Sequence, residues 1–258
     1  MKIKKSILGY EPAYHNRAFL ESDDGRSIRI LSEYLEPLFR LRKEGIHETV
    51  VFFGSARLSE HGPLGNYYQD ARLLAKLLCE WSCKEFPDCK RFTICSGGAG
   101  GIMEAANRGA ADAGCSTIGL NIGLPHEQRP NQWVTPSLLF EFHYFFMRKL
   151  WFSHLARALI AFPGGFGTID EFMEIVTLAQ TQKIQSDITI ILYGSEYWNK
   201  VINFEYMAQQ GMINSNDIKL IHRIDDVQTA FELLKNRLPT AKLPTCPEIA
   251  KANFSNIK

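Results

Sequence analysis

The stretch that decides the fold is ALIAFPGGFGTIDEF, Ala158 to Phe172. Its first five residues are all apolar, which predicts a strand buried on both faces. Gly164 and Gly165 then let the chain turn with no side chain in front of the backbone amides. Thr168 is predicted to cap the next helix, whose unpaired N–H groups and positive dipole end favour an anion. This order of elements predicts a phosphate-binding loop.

Glu171 has two interpretations. Thr168 to Glu171 spells a capping box, in which the glutamate folds back to the N–H group of the cap residue. In the other interpretation, Glu171 is an acid held within one helical turn of a bound anion. A cap needs no cleared backbone in front of it, so the preceding double glycine favours the acid.

Composition and charge exclude several classes of protein. The chain has 258 residues, of which 45% are hydrophobic and 22% charged, and its formal net charge is +1. This balance gives no general field for nucleic acid or a membrane surface. No apolar run approaches the roughly 18 residues that span a bilayer, and residues 1–15 lack a signal-peptide core. We expect a cytoplasmic protein that binds neither nucleic acid nor a membrane.

The cysteines do not form a metal motif. There are six of them: Cys79, Cys83, Cys89, Cys95, Cys115 and Cys246. No pair has CxxC spacing, and none of the seven histidines stands in an HxxxH pair. We predict no metal and reduced thiols, with Cys79 and Cys83 on one helix face.

Apolar runs alternate with helical patterns along the chain. The predicted strands are Thr49–Phe53, Phe92–Cys95, Thr117–Ile122, Ala158–Phe162 and Ile188–Tyr193. The predicted helices are Gly65–Trp81, Ile102–Ala113, Phe145–Ala156 and Ile169–Gln182. Strands this hydrophobic need cover on both faces, so the fold class is α/β, a doubly wound, Rossmann-like parallel sheet.

The chain is expected to form one such domain with an appended arm. The arm comprises residues 1–45 and contains a helix from Ile28 to Lys43 that is interrupted near Pro37. The catalytic domain comprises residues 46–238. Residues 239–258, which include three prolines, are predicted to be an irregular tail.

Three glycine loops follow predicted strands. They are Gly54-Ser55, Gly97 to Gly101, and Gly164-Gly165. Parallel sheets bind ligands outside the carboxyl ends of their strands, so these loops should meet at one crevice. A GxGxxG motif from Gly98 would need glycine where Met103 stands, and GxxxxGK[ST] is missing. We therefore predict neither NAD(P) nor triphosphate hydrolysis, and no cofactor.

Charged residues near these loops also have two interpretations each. Arg148 and Lys149 are either solvated helix residues or a basic pair facing the crevice, and the surrounding aromatic residues disfavour a fully solvated helix. Glu104 either favours a helix N-terminus or contributes to the site.

Four motifs together resemble the LOG ("Lonely guy") family of phosphoribohydrolases, many of which carry the inherited label "lysine decarboxylase". They are FGSAR (53–57), GIMEAANRGA (101–110), MRK (147–149) and PGGFGTIDE (163–171). The resemblance covers Val50 to Tyr197. It is closest to the longer, second type of the family, which has LNIxLPxEQxxN, here Leu120 to Asn131.

The resemblance implies that Arg148 and Glu171 are the catalytic pair. With the glycine loops, the predicted substrate-binding residues are Gly54, Ser55, Gly98, Glu104, Met147, Lys149, Gly164, Gly165, Gly167 and Thr168. The family also implies a homodimer, or a higher homo-oligomer, with the active site close to the subunit interface. One departure is that GGGPGIME reads GGAGGIME here, with Ala99 for a glycine and Gly100 for the proline.

The expected reaction is hydrolysis of the N-glycosidic bond of a nucleoside 5′-monophosphate, AMP or an N6-modified AMP, to free base and ribose 5-phosphate. A carboxylate stabilises the positive charge that develops on the ribose, as in glycosidases. The alternative is a non-catalytic nucleotide sensor or carrier, which needs the glycine loop but not the acid. Amino-acid decarboxylation would require a pyridoxal lysine, for which Lys149 or Lys183 is only an arbitrary choice.

Overall fold

A parallel sheet forms the centre of the computed structural model, which describes residues 12–87, 90–123, 129–184 and 188–240. Cys89, Cys246, the tail beyond residue 240 and the middle of the LNIxLPxEQxxN motif, 124–128, lie outside the described residues. Within the described ranges, no helix has the length and apolar character needed to cross a membrane.

The sheet has seven parallel strands in the order β4-β3-β2-β1-β5-β6-β7. The strands are β1 Thr49–Phe53, β2 Thr93–Ser96, β3 Thr117–Ile122, β4 Leu139–Phe142, β5 Ala156–Ala161, β6 Thr189–Tyr193 and β7 Ile221–Ile224. This confirms the predicted doubly wound α/β class. From β1 the chain builds outward to β4, then returns to place β5 on the other side of β1. The switch point therefore lies between β1 and β5.

Helices cover both faces of the sheet. They are α1 Arg17–Glu21, α2 Arg26–Lys43, α3 Gly65–Glu85, α4 Ile102–Asp112, α5 Phe145–His154, α6 Phe166–Gln180, α7 Ser195–Val201, α8 Phe204–Gln209 and α9 Val227–Arg237. Alternate residues of β1 serve two cores: Val50 and Phe52 pack with α3, α4 and α9, while Val51 and Phe53 pack with α5 and α6.

The central strands lie where the sequence predicts them, whereas the two edge strands were not predicted. β1 and β3 have the predicted bounds, and β5 begins two residues before Ala158. β4 and β7 have four residues each and carry exposed or half-buried polar residues such as Glu141 and His222. Such short, partly polar segments lack the continuous apolar run of a buried strand.

The predicted interruption of the N-terminal helix at Pro37 is wrong. α2 runs without a break through Pro37, which is buried. A proline has no N–H to donate to the carbonyl four residues earlier, here that of Glu33. The indole N–H of Trp151, on α5, donates to this oxygen at 3.0 Å instead. A tertiary hydrogen bond thus replaces the missing helical one.

The side chain of Glu33 also holds the other end of α5. Its two carboxylate oxygens accept from the backbone N–H groups of His143, at 2.8 Å, and Tyr144, at 3.2 Å. These amides lie at the start of α5, where a negative charge is favoured. Tyr34 stacks on Trp151, with ring centroids 5.7 Å apart. α2 therefore fixes α5 at both ends.

Candidate active site

The helix after the glycine turn begins three residues earlier than predicted, and Thr168 does not cap it. α6 starts at Phe166 with Gly165 as the N-cap residue, and no side chain caps it. Glycine serves as an N-cap with little loss of stability, so the helix needs no hydroxyl there. Glu171 is consequently the sixth helical residue instead of the third. The capping-box interpretation is wrong.

The start of α6 presents an open set of backbone amides. The first helical hydrogen bond is donated by Ile169 to the carbonyl of Gly165, at 3.0 Å, so the amides before it have no helical acceptor. A Cβ atom built on Gly165 or Gly167 would meet nothing within 4 Å. A Cβ on Gly164 would collide with the side chain of Thr168, which is only 6% exposed. The turn is packed on the Thr168 side and open where an anion would bind.

Arg148 and Glu171 form an ion pair beside this opening. Nη2 of Arg148 lies 2.6 Å from Oε1 of Glu171, and each side chain is 13% exposed. The guanidinium carbon also lies 5.3 Å from the ring centroid of Phe145 and 5.6 Å from that of Phe152. Nε of Arg148 is buried without a hydrogen-bond partner. The pair is thus desolvated, with spare donor capacity on the arginine.

Burial makes the carboxyl group of Glu171 a weaker acid than usual. It raises the pKa of this carboxyl from 4.5 to about 7, and the positive charge of Arg148 opposes the shift only in part. The neighbouring carboxylate of Asp170 raises this pKa further, and Lys149 lowers it. A carboxyl with a pKa near neutrality can exchange a proton during a reaction.

The residues on either side of Arg148 have different surroundings. Nζ of Lys149 pairs with Asp170 at 2.8 Å and with Glu174 at 3.1 Å, which places it at the rim of the site on the face of α6. Met147 is 6% exposed and belongs to the apolar core beneath α5. Lys149 therefore pairs with residues of α6, whereas Met147 lies inside the core.

The loop after β1 contacts both other glycine loops. The N–H of Ser55 donates to the carbonyl of Pro163 at 3.0 Å, and the carbonyl of Ser55 accepts from Ile102 at 3.1 Å. A Cβ on Gly54 would lie 2.6 Å from Cβ of Ile102, so the start of α4 requires glycine here. These contacts confirm that the three loops meet at the carboxyl ends of their strands, while their lining of one crevice stays a prediction.

Gly98 lies in the loop after β2, and Glu104 lies on α4, the helix that follows this loop. Gly98 has φ of +72°, which favours glycine, and its carbonyl accepts from both the backbone and the side-chain N–H groups of Asn131. Glu104, in the first turn of α4, accepts from the hydroxyl of Tyr68 at 3.4 Å. Among the described contacts, none joins Glu104 to the Arg148–Glu171 pair.

A family model described as "Possible lysine decarboxylase" matches residues 103–234, a little more than half of the chain. The chain belongs to this family. The LOG resemblance is confirmed, since the relatives are named accordingly. Cytokinin riboside 5′-monophosphate phosphoribohydrolase LOG4 of Arabidopsis thaliana is 24% identical over 172 residues, covering 63% of this chain and 77% of the relative. Cytokinin riboside 5′-monophosphate phosphoribohydrolase of Rhodococcoides fascians is 24% identical over 140 residues, covering 53% of this chain and 69% of the relative.

Solved structures share the fold of this LOG-family chain. The structural genomics target TM1055 has a TM-score of 0.51 at 17% identity, covering 73% of this chain and 99% of its own. The molybdenum cofactor carrier protein of Chlamydomonas reinhardtii has a TM-score of 0.50 at 21% identity, covering 74% and 99%. Likeness at this identity concerns the fold alone.

Three polar residues of this LOG-family chain support the loops and were not predicted as site residues. Nδ2 of Asn131 donates to the carbonyls of Gly98 and Ala99 and to the side chain of Asn107. The hydroxyl of Tyr197 donates to the carbonyl of Gly164 at 2.7 Å. The sequence signals were the positions of Asn131 at the end of the LNIxLPxEQxxN motif and of Asn107 within GIMEAANRGA. No motif includes Tyr197.

Proposed function

We propose that this protein is a phosphoribohydrolase that cleaves the N-glycosidic bond of AMP or an N6-modified AMP. The products are the free base and ribose 5-phosphate. The observation that carries the proposal is the desolvated pair of Arg148 and Glu171, 2.6 Å apart, beside the open amides of α6. The names of the relatives, which act on cytokinin riboside 5′-monophosphates, support the substrate class.

The proposed phosphate site is the start of α6. Amides with no helical acceptor and the positive end of the helix dipole favour a dianionic phosphate. Gly165 and Gly167 leave room for it, because a Cβ on either residue would point into empty space. Binding energy from the phosphate would hold the distant C1′ atom against the acid, and so lower the barrier to reaction.

Glu171 is the proposed catalytic carboxylate. As the C1′–N bond breaks, positive charge develops on the ribose ring, and the ionised carboxylate stabilises it. The C1′–N bond electrons leave with the base, whose nitrogen takes a proton from solvent. The oxygen of a water molecule bonds to C1′, the carboxylate takes a proton from that water, and Glu171 then releases this proton to solvent. The pKa of about 7 suits this exchange at neutral pH. Arg148 would orient the ribose or stabilise the leaving base.

The direct test is to incubate the protein with AMP and an N6-modified AMP and to follow the free base by chromatography. Glu171→Gln should abolish turnover by removing the ionisable group with little change in shape. Glu174→Gln is the matched control, since it removes a carboxylate from the same helix that pairs with Lys149 and not with Arg148. It should retain most of the activity.

A carrier or sensor would behave differently in the same assay. It would bind the nucleotide tightly, as measured by calorimetry, and release no base. That outcome, or a Glu171→Gln variant as active as the wild type, would refute the proposed hydrolase.

The proposal includes a homodimer with the site near its interface, in the cytoplasm. Supporting the dimer, three aromatic side chains beside the site are exposed: Phe145 and Phe146 at 50% and Phe166 at 94%. Exposed apolar surface of this kind favours burial by a partner. Light scattering on the wild type and Phe166→Glu tests it, and a monomeric wild type would contradict it.

A further inference from the structure

Two cysteines that are distant in sequence lie side by side on the face of the protein formed by α3 and the end of α4. Sγ of Cys83, in the last turn of α3, is 3.2 Å from Sγ of Cys115, which precedes β3. Both are free thiols, and Cys79 lies one helical turn before Cys83. Neither cysteine belongs to the Arg148–Glu171 site. Their proximity therefore has no part in the proposed hydrolysis.

The close packing of α3 against α4 brings the two sulfur atoms together. A Cβ on Gly109 of α4 would collide with the backbone carbonyl of Arg72 on α3, so this crossing requires glycine. The same arginine pairs with Asp112, in the last turn of α4, at 2.6 Å. These contacts fix the last turns of α4 against α3.

A tight turn then directs Cys115 back toward α3. α4 ends at Asp112, and Gly114 adopts φ of +73°. The N–H of Gly114 donates to the carbonyl of Ala111, and that of Cys115 to the carbonyl of Ala110, at 2.9 and 3.0 Å. This is the Schellman pattern of a helix C-terminus. Cys115 is therefore positioned by backbone hydrogen bonds and not by a flexible loop.

The pair is accessible to small reagents and chemically activated. Cys83 is exposed and Cys115 is partly exposed, whereas Cys79 is buried. Hydrogen bonds from Cys79 and then Cys83 lower the pKa of the Cys115 thiol to about 6, against the opposing effects of burial and the Glu80 carboxylate. A thiolate at neutral pH is the reactive form of cysteine.

We propose that Cys83 and Cys115 are a redox-active pair, which low-molecular-weight disulfides such as oxidised glutathione convert to an internal disulfide. The Cys115 thiolate attacks one sulfur of glutathione disulfide, which forms a mixed disulfide and releases one glutathione thiolate. Cys83 then loses its proton and displaces the second glutathione from Cys115. Two protein thiols are oxidised, and one glutathione disulfide is reduced to two molecules of glutathione.

The change of geometry is small. The sulfur atoms must approach from 3.2 Å to the bond length of about 2.05 Å, with Cys83 at the end of a helix and Cys115 in a turn. The new bond would join α3 to the start of β3 across 32 residues of sequence. Among the described residues, no group of three or more His, Cys, Asp or Glu side chains is suited to a metal ion, so the pair is assigned to thiol exchange.

The test is to equilibrate the full-length protein with stepped ratios of reduced to oxidised glutathione at pH 7, alkylate the remaining thiols and map all six cysteines by mass spectrometry. Digestion should include a protease that cuts after Glu80, because that cut separates Cys79 from Cys83. We expect a linked peptide pair containing Cys83 and Cys115, which reduction by dithiothreitol reverses. Cys95, only 2% exposed, should stay reduced and serves as the internal control.

Variants give a second readout. Cys83→Ser should stop the reaction at the mixed disulfide on Cys115, one glutathione per chain. Cys79→Ala should keep the Cys83–Cys115 link while moving the midpoint of Cys115 alkylation from about pH 6 toward the ordinary value of about 8.5. The proposal is overturned if wild-type Cys115 stays reduced at every ratio, if it links to Cys79 instead, or if glutathione adducts accumulate on the wild type without the internal bond.

Discussion

Replacing Glu171 with glutamine should remove a pH-dependent destabilisation of the native fold. The pKa of Glu171 is raised from 4.5 to about 7, so between these values the native state binds a proton that the unfolded chain has released. The free energy of unfolding therefore falls as pH rises through this window. Each unit of pKa difference is worth about 1.4 kcal/mol, which gives a total of about 3 kcal/mol, complete above pH 7.

The assay is urea unfolding of the wild type and Glu171→Gln between pH 4.5 and 8. The difference in unfolding free energy, wild type minus variant, should decrease by about 3 kcal/mol across this range. Removing the partner of Arg148 also destabilises the variant. Because arginine stays charged over the whole pH range, this loss changes the free-energy difference by the same amount at every pH and leaves its pH dependence unchanged. Glu174→Gln controls for loss of a carboxylate from α6.

A difference that stays constant with pH would refute the raised pKa. An increase in the difference as pH rises would mean that Arg148 outweighs burial and lowers the pKa of Glu171 below its ordinary value. Either result would also remove the reason for assigning Glu171 a proton-accepting role near neutral pH. The measurement thus tests the electrostatics of the site without depending on any substrate.

Three further predictions concern the site and its support. In pH–rate profiles, kcat/KM for AMP should increase with pH, with a midpoint near pH 7 set by the ionisation of Glu171. Asp170→Asn should move that midpoint to lower pH, because it removes a negative charge that raises the pKa of Glu171, while the titration of the substrate phosphate stays the same. Gly167→Ala should raise KM for AMP about tenfold, a loss of about 1.4 kcal/mol, while the melting temperature does not fall, because its Cβ meets no protein atom and alanine favours a helix more than glycine does. Trp151→Phe should cost about 1–3 kcal/mol in urea unfolding and less in a Pro37→Ala background, which restores the helical N–H donor; equal costs would contradict this.

The central strands were predictable because each buried parallel strand has a continuous run of apolar residues in the sequence. β1 and β3 have the predicted bounds for this reason. The edge strands β4 and β7 escaped prediction because an edge strand pairs on one side only and tolerates polar residues such as Glu141. The order of the strands in the sheet follows from the switch point, which no local pattern specifies.

Some features of the candidate site were also predictable from the local sequence, and others depend on contacts that only the folded chain makes. Gly164 and Gly165 predict the turn after β5, because glycine lets the chain turn with no side chain in front of the backbone amides. The role of Thr168 was misjudged because a glycine N-cap lets the helix begin earlier, and the capping pattern cannot reveal where the first turn closes. Asn131 and Tyr197 act on loops 33 residues away in sequence, and only the folded chain brings them there.

The contacts of Glu33 change how the N-terminal helix relates to the site. Sequence alone treats residues 1–45 as an arm beside a catalytic domain. Yet the backbone carbonyl of Glu33 accepts from Trp151, and its carboxylate accepts from the amides before α5, the helix that carries Arg148. Arg148 keeps its 2.6 Å contact with Glu171 only while α5 holds its place against α6. Because a small displacement of a catalytic group is costly, we infer that α2 supports the proposed catalytic pair, although it contributes no atom to it.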